Sequence, residues 1–317
     1  MLGSCLMIAL KGTALLKKER EFILRNQPAG VILFKRNIES LKQVFKLNQK
    51  IKALIKPSPL IAIDMEGGRV NRLSDLKGFK AWPSAKELGK KTPQEIFLTA
   101  KKQAHQLKEL GFDINFAPVV DLPLVDSLIL KTRTFGKKAS SILRAGEAFL
   151  KGFQEEGLIS CLKHFPGHGG VFEDSHESLP VDKRSLGELS AQLSIFQKLF
   201  KKYPSCIMTA HIEFPEIEKI PATFSKTFLT QILRKRLGFQ GLIVSDDIDM
   251  KALKTFSPGE TCFFALKAGC DMILSCQGLD KPLKAIRYFE RQIQKKEELK
   301  KELKRARKNI LKLKKQL

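Results

Sequence analysis

What most restricts the fold of this chain is an alternation. Short runs of β-branched or apolar residues are separated by longer segments of helical period, and most runs end in, or are closely followed by, Gly, Asp, His or Pro. Eight runs occur, at Cys5–Ala9, Gly30–Phe34, Leu60–Asp64, Asp113–Phe116, Ile159–His164, Cys206–Ala210, Leu242–Ser245 and Met272–Leu274. Helical segments are expected between them, near 16–26, 38–54, 94–110, 140–157, 186–202, 226–238 and 258–268, with another after Lys281. Eight β/α units without a linker are what a (β/α)8 barrel requires, whereas a doubly wound sheet usually needs fewer strands or a second domain. The expected architecture is therefore α/β, a single TIM-type barrel over residues 1–293. A basic amphipathic helix over 294–317 is expected to pack on it or extend from it.

Bulk properties narrow the setting. No stretch approaches the ~18 apolar residues of a membrane span, and the apolar N-terminus lacks the basic start of a signal peptide, so it reads as the first strand. Six cysteines, at 5, 161, 206, 262, 270 and 276, form no CxxC pair and lie among apolar residues. They fit buried, reduced thiols of a cytoplasmic protein better than a disulfide framework. The formal charge is +24, and residues 281–317 carry 15 Lys and Arg against 4 Asp and Glu, a net +11. Apolar residues in this tail recur at helical spacing: Ile286, Phe289, Ile293, then Leu299, Leu303, Ala306, Ile310, Leu313 and Leu317. The tail thus reads as a docking helix with a solvated basic face. Attraction to anionic cell-wall fragments, a membrane surface or nucleic acid is the alternative. Nucleic acid is not expected as a partner, since the chain has one Trp, two Tyr and no recognised nucleic-acid motif. A monomer is expected.

Barrel enzymes place their catalytic groups at the C-terminal ends of strands. Unusual polar residues cluster there in this chain: Asp64 after the third run, Lys163 and His164 at the fifth, His211 after the sixth, and Asp246 with Asp247 after the seventh. Four of the five histidines (164, 168, 176, 211) fall in these segments, leaving only His105 in a helix.

Three segments carry chemistry. Lys163-His164-Phe165-Pro166-Gly167-His168-Gly169-Gly170, followed by Asp174-Ser175-His176, describes a loop with special backbone angles. Asp174 and His176 are two apart, so their side chains can meet, the carboxylate fixing the tautomer and leaving one imidazole nitrogen for proton transfer. Leu242–Asp247 is an apolar strand ending in two carboxylates. Asp246 there suits a nucleophile, a metal ligand or a structural cap, and Asp247 suits a cap. Ile63–Arg72 delivers acids, a Gly-Gly turn and two arginines, a set suited to holding sugar hydroxyls, with a surface ion-pair cluster as the plainer reading.

Together these segments resemble glycoside hydrolase family 3, in particular its compact single-domain β-N-acetylhexosaminidases of bacterial cell-wall recycling. The likeness runs through Gly30–Phe34, Ile63–Arg72, Asn115–Asp121, Arg133–Gly136, Lys163–Gly169, Asp174–His176, Met208–His211, Ser245–Asp247 and Ala268–Met272. It implies a cytoplasmic retaining β-N-acetylhexosaminidase, needing no metal or cofactor, that removes terminal β-linked N-acetylglucosamine from peptidoglycan-derived muropeptides through a covalent glycosyl-enzyme. By matching position it implies Asp246 as nucleophile, His176 as acid/base and Asp174 as its partner. It implies Asp64, Arg72, Arg133, Lys163 and His164 as substrate-binding residues. A histidine acid/base makes physical sense. Retaining glycosidases usually pair two carboxyls roughly 5–5.5 Å apart, one kept protonated beside an anion. An imidazole avoids that like-charge conflict and titrates around pH 6.5.

Met65, Thr132 and Asp249 depart from the family pattern, which usually has Gln, an acidic residue and a small residue there; altered subsite contacts are expected. The rival enzyme readings are a metal-dependent barrel hydrolase using His164, His168, Asp174, His176, His211 and Asp246, a β-glucosidase, and a phosphorylase. The metal reading lacks an HxH after the first strand and any i,i+4 pair on a helix.

Overall fold

The apolar runs become strands that are buried along almost their whole length. They are β1 (Leu6–Ala9), β2 (Gly30–Leu33), β3 (Leu60–Ile63), β4 (Ile114–Asn115), β5 (Ile159–Phe165), β6 (Cys206–Thr209), β7 (Ile243–Val244) and β8 (Ile273–Ser275). Side chains buried on both faces suit a parallel sheet covered by helices. The computed structural model describes all 317 residues except Met1, Lys77, Gly78, Lys80, His176 and Lys295.

Each strand pairs in parallel with its sequence neighbours, and β8 pairs with β1. A parallel bridge between Val244 and Met272 closes the ring, helped by the Ser245 N–H donating to the Met272 carbonyl. The result is the (β/α)8 barrel that the alternation predicts.

The helices are α1 (Lys17–Asn26), α2 (Leu41–Lys52), α3 (Pro93–Glu109), α4 (Ala139–Glu155), α5 (Ser190–Lys202), the π-wound α6 (Thr227–Arg236), α7 (Pro258–Ala268), α8 (Asp280–Gln292) and α9 (Glu297–Lys314). Local chemistry starts several of them. Thr92 caps α3 and Ser257 caps α7, each followed by Pro at the first helical position and by a Glu that bonds back to the cap's N–H. Ser40 caps α2, so this helix begins at Leu41 rather than near residue 38. Helices α3 and α4 pack closely because Gly152 has no side chain: a Cβ there would lie 2.7 Å from the Phe97 carbonyl oxygen. Two short antiparallel hairpins, Met65–Gly67 with Val70–Asn71 and Glu213–Phe214 with Glu218–Pro221, lie beyond β3 and β6. Neither follows from the strand-and-helix alternation.

The basic tail forms α9, which buries Leu299, Leu303, Ala306 and Ile310. Its docking is also ionic. Asp271, fully buried just before β8, accepts from Arg234 on α6 (2.6 Å), the Ile243 N–H (2.9 Å), Asn309 on α9 (2.9 Å) and Arg305 on α9. Arg305 further donates to the carbonyls of Leu266, Gly269 and Cys270. Arg305 is thus an anchor, while Lys300, Lys301, Lys304 and Lys308 form the exposed face. All six cysteines are buried and unpaired, and burial pushes the thiols of Cys5 and Cys206 up to about 12, which keeps them unreactive. Among the described residues no helix is long and apolar enough to cross a membrane.

Asp271→Ala leaves Arg234 and Arg305 without their common acceptor, and breaking such a buried pair costs about 3 kcal/mol. Urea unfolding should register that loss; a change under about 0.5 kcal/mol, the usual range of an unimportant surface substitution, would contradict this anchoring.

Candidate active site

The C-terminal ends of the strands converge on a cavity of about 460 Å³ lined by Asp64, Glu66, Arg72, Arg133, Lys163, His164, His168, Asp174, Asp246 and Asp247, with Phe34, Ile129 and Met208 among the apolar walls. Every expected site residue that the structure describes reaches this one cavity. His176 lies outside the described residues.

The hairpin after β3 is held by an amide side chain. Asn115, on the two-residue β4, accepts from the Met65 N–H and donates to the Met65 carbonyl (both 2.9 Å), and Gln103 donates to the same carbonyl at 2.8 Å. Glu66 is thereby delivered into the cavity next to Asp64. Between these two carboxylates sits Lys163, almost wholly buried, its Nζ 2.8 Å from Asp64 Oδ1 and 2.7 Å from Glu66 Oε1. Arg133 donates to both oxygens of Glu66 through Nε and Nη2, each at 2.7 Å. Arg72 stands 3.7 Å from Asp64 Oδ2 and lies over the Phe34 ring at 5.4 Å.

Burial by itself would raise the Glu66 carboxyl. The charges of Arg133 and Lys163 outweigh it and hold the group well below the usual carboxylate range. Burial likewise works against the charged form of Lys163, but Asp64 and Glu66 raise its affinity for the proton. Glu66, Lys163 and Arg133 are therefore charged at neutral pH, and their mutual pairing fixes the donors that face the cavity.

Glu66 was not among the residues singled out from sequence, although it sits in the same acid-rich segment as Asp64. Asp121 is the second such residue. Fully buried, it accepts from the backbone N–H groups of His164 (3.2 Å) and His168 (2.8 Å) and from His164 Nδ1 at 2.8 Å. A carboxylate acceptor puts a proton on Nδ1 and leaves Nε2 as the other polar atom of the His164 ring. His168, pulled down by burial and by His164, stays neutral.

At the end of β7, burial pushes the Asp246 carboxyl upward, but His164, His211, the Asp247 N–H (2.8 Å to Oδ1) and Lys163 bring it below its ordinary value. It is an anion at neutral pH. Asp247 differs: burial, then the carboxylates of Asp249 and Asp246, push it up to about 7. It therefore takes up a proton far more readily than an ordinary carboxylate, which limits the negative charge beside Asp246. Asp247 is structural, but not as the helix cap expected of it: its Oδ1 accepts from the N–H groups of Asp249 (3.0 Å) and Cys276 (3.1 Å), tying the loops after β7 and β8, while the turn at Lys251–Leu253 is entered through Met250 and α7 is capped by Ser257.

His211 spends its ring on structure, with Nδ1 2.7 Å from Thr223 Oγ1 and Nε2 donating to the Asp247 carbonyl at 3.1 Å. Among the described residues no group of His, Cys, Asp and Glu is arranged to hold a metal ion. The loop after β5 is tied down at both ends of its described part. Gly169 accepts from the Leu124 N–H at 2.8 Å, and a Cβ there would collide with the Leu122 carbonyl oxygen, 1.8 Å away. At Asp174 the backbone carbonyl accepts from the N–H groups of Glu177 and Ser178, and the Ser175 carbonyl accepts from the Ala252 N–H.

The three departures from the family pattern have separate outcomes. Met65 is buried away from the cavity, and its main chain, not its side chain, meets Asn115 and Gln103. Asp249 links the loops after β7 and β8, accepting from Ser275 Oγ (2.9 Å) and the Gln277 N–H (2.8 Å) and pairing with Lys281. Neither lines the cavity, which corrects the expectation of altered subsite contacts at those two positions. Thr132 accepts from the Lys86 N–H through its carbonyl and is also absent from the lining.

Comparison with known proteins places this geometry. The profile of the glycosyl hydrolase family 3 N-terminal domain matches residues 6–313. A β-hexosaminidase of Hydrogenovibrio crunogenus is 38% identical over 281 residues, covering 86% of this chain and 78% of that protein. A family 3 β-N-acetylglucosaminidase from Paenibacillus sp. str. FPU-7 superposes with a TM-score of 0.93 at 30% identity; the match covers 99% of this chain and 61% of that one. NagZ from Neisseria gonorrhoeae, solved in complex with N-trifluoroacetyl-D-glucosamine, superposes with a TM-score of 0.81 at 30% identity, covering 98% of this chain and 97% of that one.

Glu66→Gln keeps the shape but removes the charge shared by Lys163 and Arg133. A buried ion-paired group of this kind is worth about 3 kcal/mol, so affinity for a saccharide ligand should fall on the order of 100-fold while far-ultraviolet dichroism stays unchanged. Unaltered ligand affinity by calorimetry would show that the pair does not organise the cavity.

Proposed function

The chain belongs to glycosyl hydrolase family 3, and from that membership we propose that it is a retaining β-N-acetylhexosaminidase that removes terminal β-linked N-acetylglucosamine from peptidoglycan fragments. The observation that carries the reading is the juxtaposition, in one sugar-sized cavity, of an ionised Asp246 with the fixed donors Lys163, Arg133 and His164 and the acceptor Asp64. N-acetylglucosamine, rather than glucose, is favoured by the names of the relatives, among them a β-N-acetylglucosaminidase and an enzyme solved with an N-acylated glucosamine. The cell-wall fragment and the cytoplasmic setting are inferred from the family resemblance, and the six unpaired thiols fit a reducing compartment.

In the first step a carboxylate oxygen of Asp246 attacks the anomeric carbon as the bond to the leaving oxygen breaks, and His176 gives that oxygen its proton. In the second, His176 takes a proton from water, the water oxygen bonds to the anomeric carbon, and the Asp246 ester is released. The β-configuration is kept because the carbon is inverted twice. Asp174 orients the imidazole and stabilises its protonated form. Asp64, Arg72, Arg133, Lys163 and His164 hold the sugar hydroxyls. Charge-assisted contacts of this kind fix the ring against the nucleophile more tightly than neutral ones.

The test compares turnover of p-nitrophenyl β-N-acetylglucosaminide with that of the corresponding glucoside. The acetamido substrate should be preferred, and Asp246→Asn should lower kcat by at least about 10³-fold in a folded protein. Equal or faster turnover of the glucoside would overturn the substrate assignment, and near-normal activity of Asp246→Asn would overturn the nucleophile.

A further inference from the structure

The end of the barrel away from the active-site cavity carries a groove of a different kind. With a volume of about 910 Å³, it runs along one flank of α9 and is walled on its other side by Ser4, Pro57 and Ile293. Ser4 lies in the Leu2–Cys5 turn before β1, Pro57 lies before β3, and α9 is itself tied to Asp271 just before β8. The groove therefore sits where strands begin, whereas the charged cavity sits where they end. Of the twelve residues that line it, seven are Lys or Arg and none is Asp or Glu.

These cations lack counter-charges. Among the described residues that line the groove, only Lys300 has an ion-pair partner, Glu297 at 3.0 Å. From Leu303 to the end of the chain there is no acid at all, and of the cations there only Arg305 turns inward to Asp271. Lys314 is half-buried, and burial brings its ammonium down to about 8; Asp113, which opposes that effect, is already paired with Lys52 at 2.6 Å. Cations in a last helical turn offset the helix dipole, which accounts for Lys312, Lys314 and Lys315. Lys304, Arg307 and Lys308 stand too far from that end to be explained in the same way. An uncompensated cationic strip of this kind suits an anionic partner.

We propose that the α9 groove docks the protein on the surface of an anionic phospholipid bilayer, with the mouth of the barrel turned away to solution. Three features favour lipid over other anions. Six of the seven cations are Lys, a hydrated point charge suited to a diffuse negative surface, whereas bidentate recognition of single carboxylates or phosphates uses the fork of Arg. They are strung from Lys300 to Lys315, about 22 Å along a helix, so several reach one flat surface together. Between them lie Pro57, Ile293, Leu303 and Leu311, and no aromatic ring lines the groove. A bilayer interface offers aliphatic as well as phosphate contacts to such a lining, while a nucleic acid strand would find phosphate contacts but no ring on which to stack a base.

Vesicle flotation of the full chain tests the docking surface. At about 0.15 M salt the protein should float with vesicles of equal parts phosphatidylglycerol and phosphatidylcholine, and should stay behind with phosphatidylcholine alone. A variant combining Lys304→Gln, Lys308→Gln and Lys312→Gln should partition about 100-fold more weakly, at about fivefold per cation. A control combining Lys17→Gln, Lys42→Gln and Lys138→Gln removes the same charge from exposed positions at the starts of α1, α2 and α4, and should lose less than about threefold. Far-ultraviolet dichroism of both variants should match the wild type, and vesicle-bound protein should turn over a p-nitrophenyl β-N-acetylglucosaminide as fast as free protein. Equal losses in the two variants would reduce the binding to net charge and overturn the groove, as would flotation with phosphatidylcholine alone or no flotation at all. Tighter binding of duplex DNA than of vesicles at matched phosphate would give the groove to nucleic acid instead. Slower turnover on the vesicles would overturn the outward-facing mouth. A protein inert in solution would sink the glycosidase reading and leave the flotation result to decide the docking surface alone.

Discussion

The site depends on one buried cation. Lys163 is taken out of water at the end of β5, and an isolated ammonium there would shed its proton rather than bear the desolvation. It stays charged because Asp64 and Glu66 arrive from the far side of β4, and Glu66 in turn is shared with Arg133. Three segments distant in sequence therefore fix one another: the hairpin after β3, the end of β5 and the loop after β4. Barrel closure makes this possible, since only a ring of neighbouring strands brings these ends to one mouth. The same cation helps keep Asp246 ionised, so the group that stabilises the architecture of the cavity also sets the state of its nucleophile.

The two ends of the barrel divide their labour, as the fold allows. At the mouth, carboxylates and cations are paired but face a cavity, and the pairing leaves donors and acceptors available to a ligand. At the opposite end Asp271 collects two arginines, an asparagine and a backbone N–H, and presents nothing to a cavity. Both are buried ion clusters of similar composition. What separates a binding site from a structural anchor is which strand end they occupy and whether the charged groups face the space beside them: a cavity of about 430 Å³ also adjoins the Asp271 cluster, but Asn309, not Asp271 or its arginines, lines it.

Much of this was legible in the sequence where the signal is local. Strand runs, helical periods and Gly-rich loops are encoded by residues a few positions apart, and the eight-unit barrel followed from the alternation of the first two. The strand-end rule found Asp64, Lys163, His164 and Asp246 before any contact was known. Glu66 and Asp121 escaped because their significance lies in partners dozens of residues away: Arg133 and Lys163 for one, His164 and His168 for the other. Arg305 was masked differently, as one basic residue among many in a tail whose charge suggested solvent. Its distinction is geometric, a side chain turned inward to Asp271. The hairpin at 65–71 was hidden because it is held by the Asn115 side chain rather than by alternating hydrophobicity.

The central claim, that Asp246 becomes covalently bonded to the sugar, is tested most directly by mass spectrometry of the protein after incubation with a slow fluorinated N-acetylglucosaminide. Tryptic mapping should place one glycosyl adduct on the 237–251 peptide, at Asp246. An adduct on any other carboxylate, or single turnover of the same compound with no adduct at all, would contradict the account.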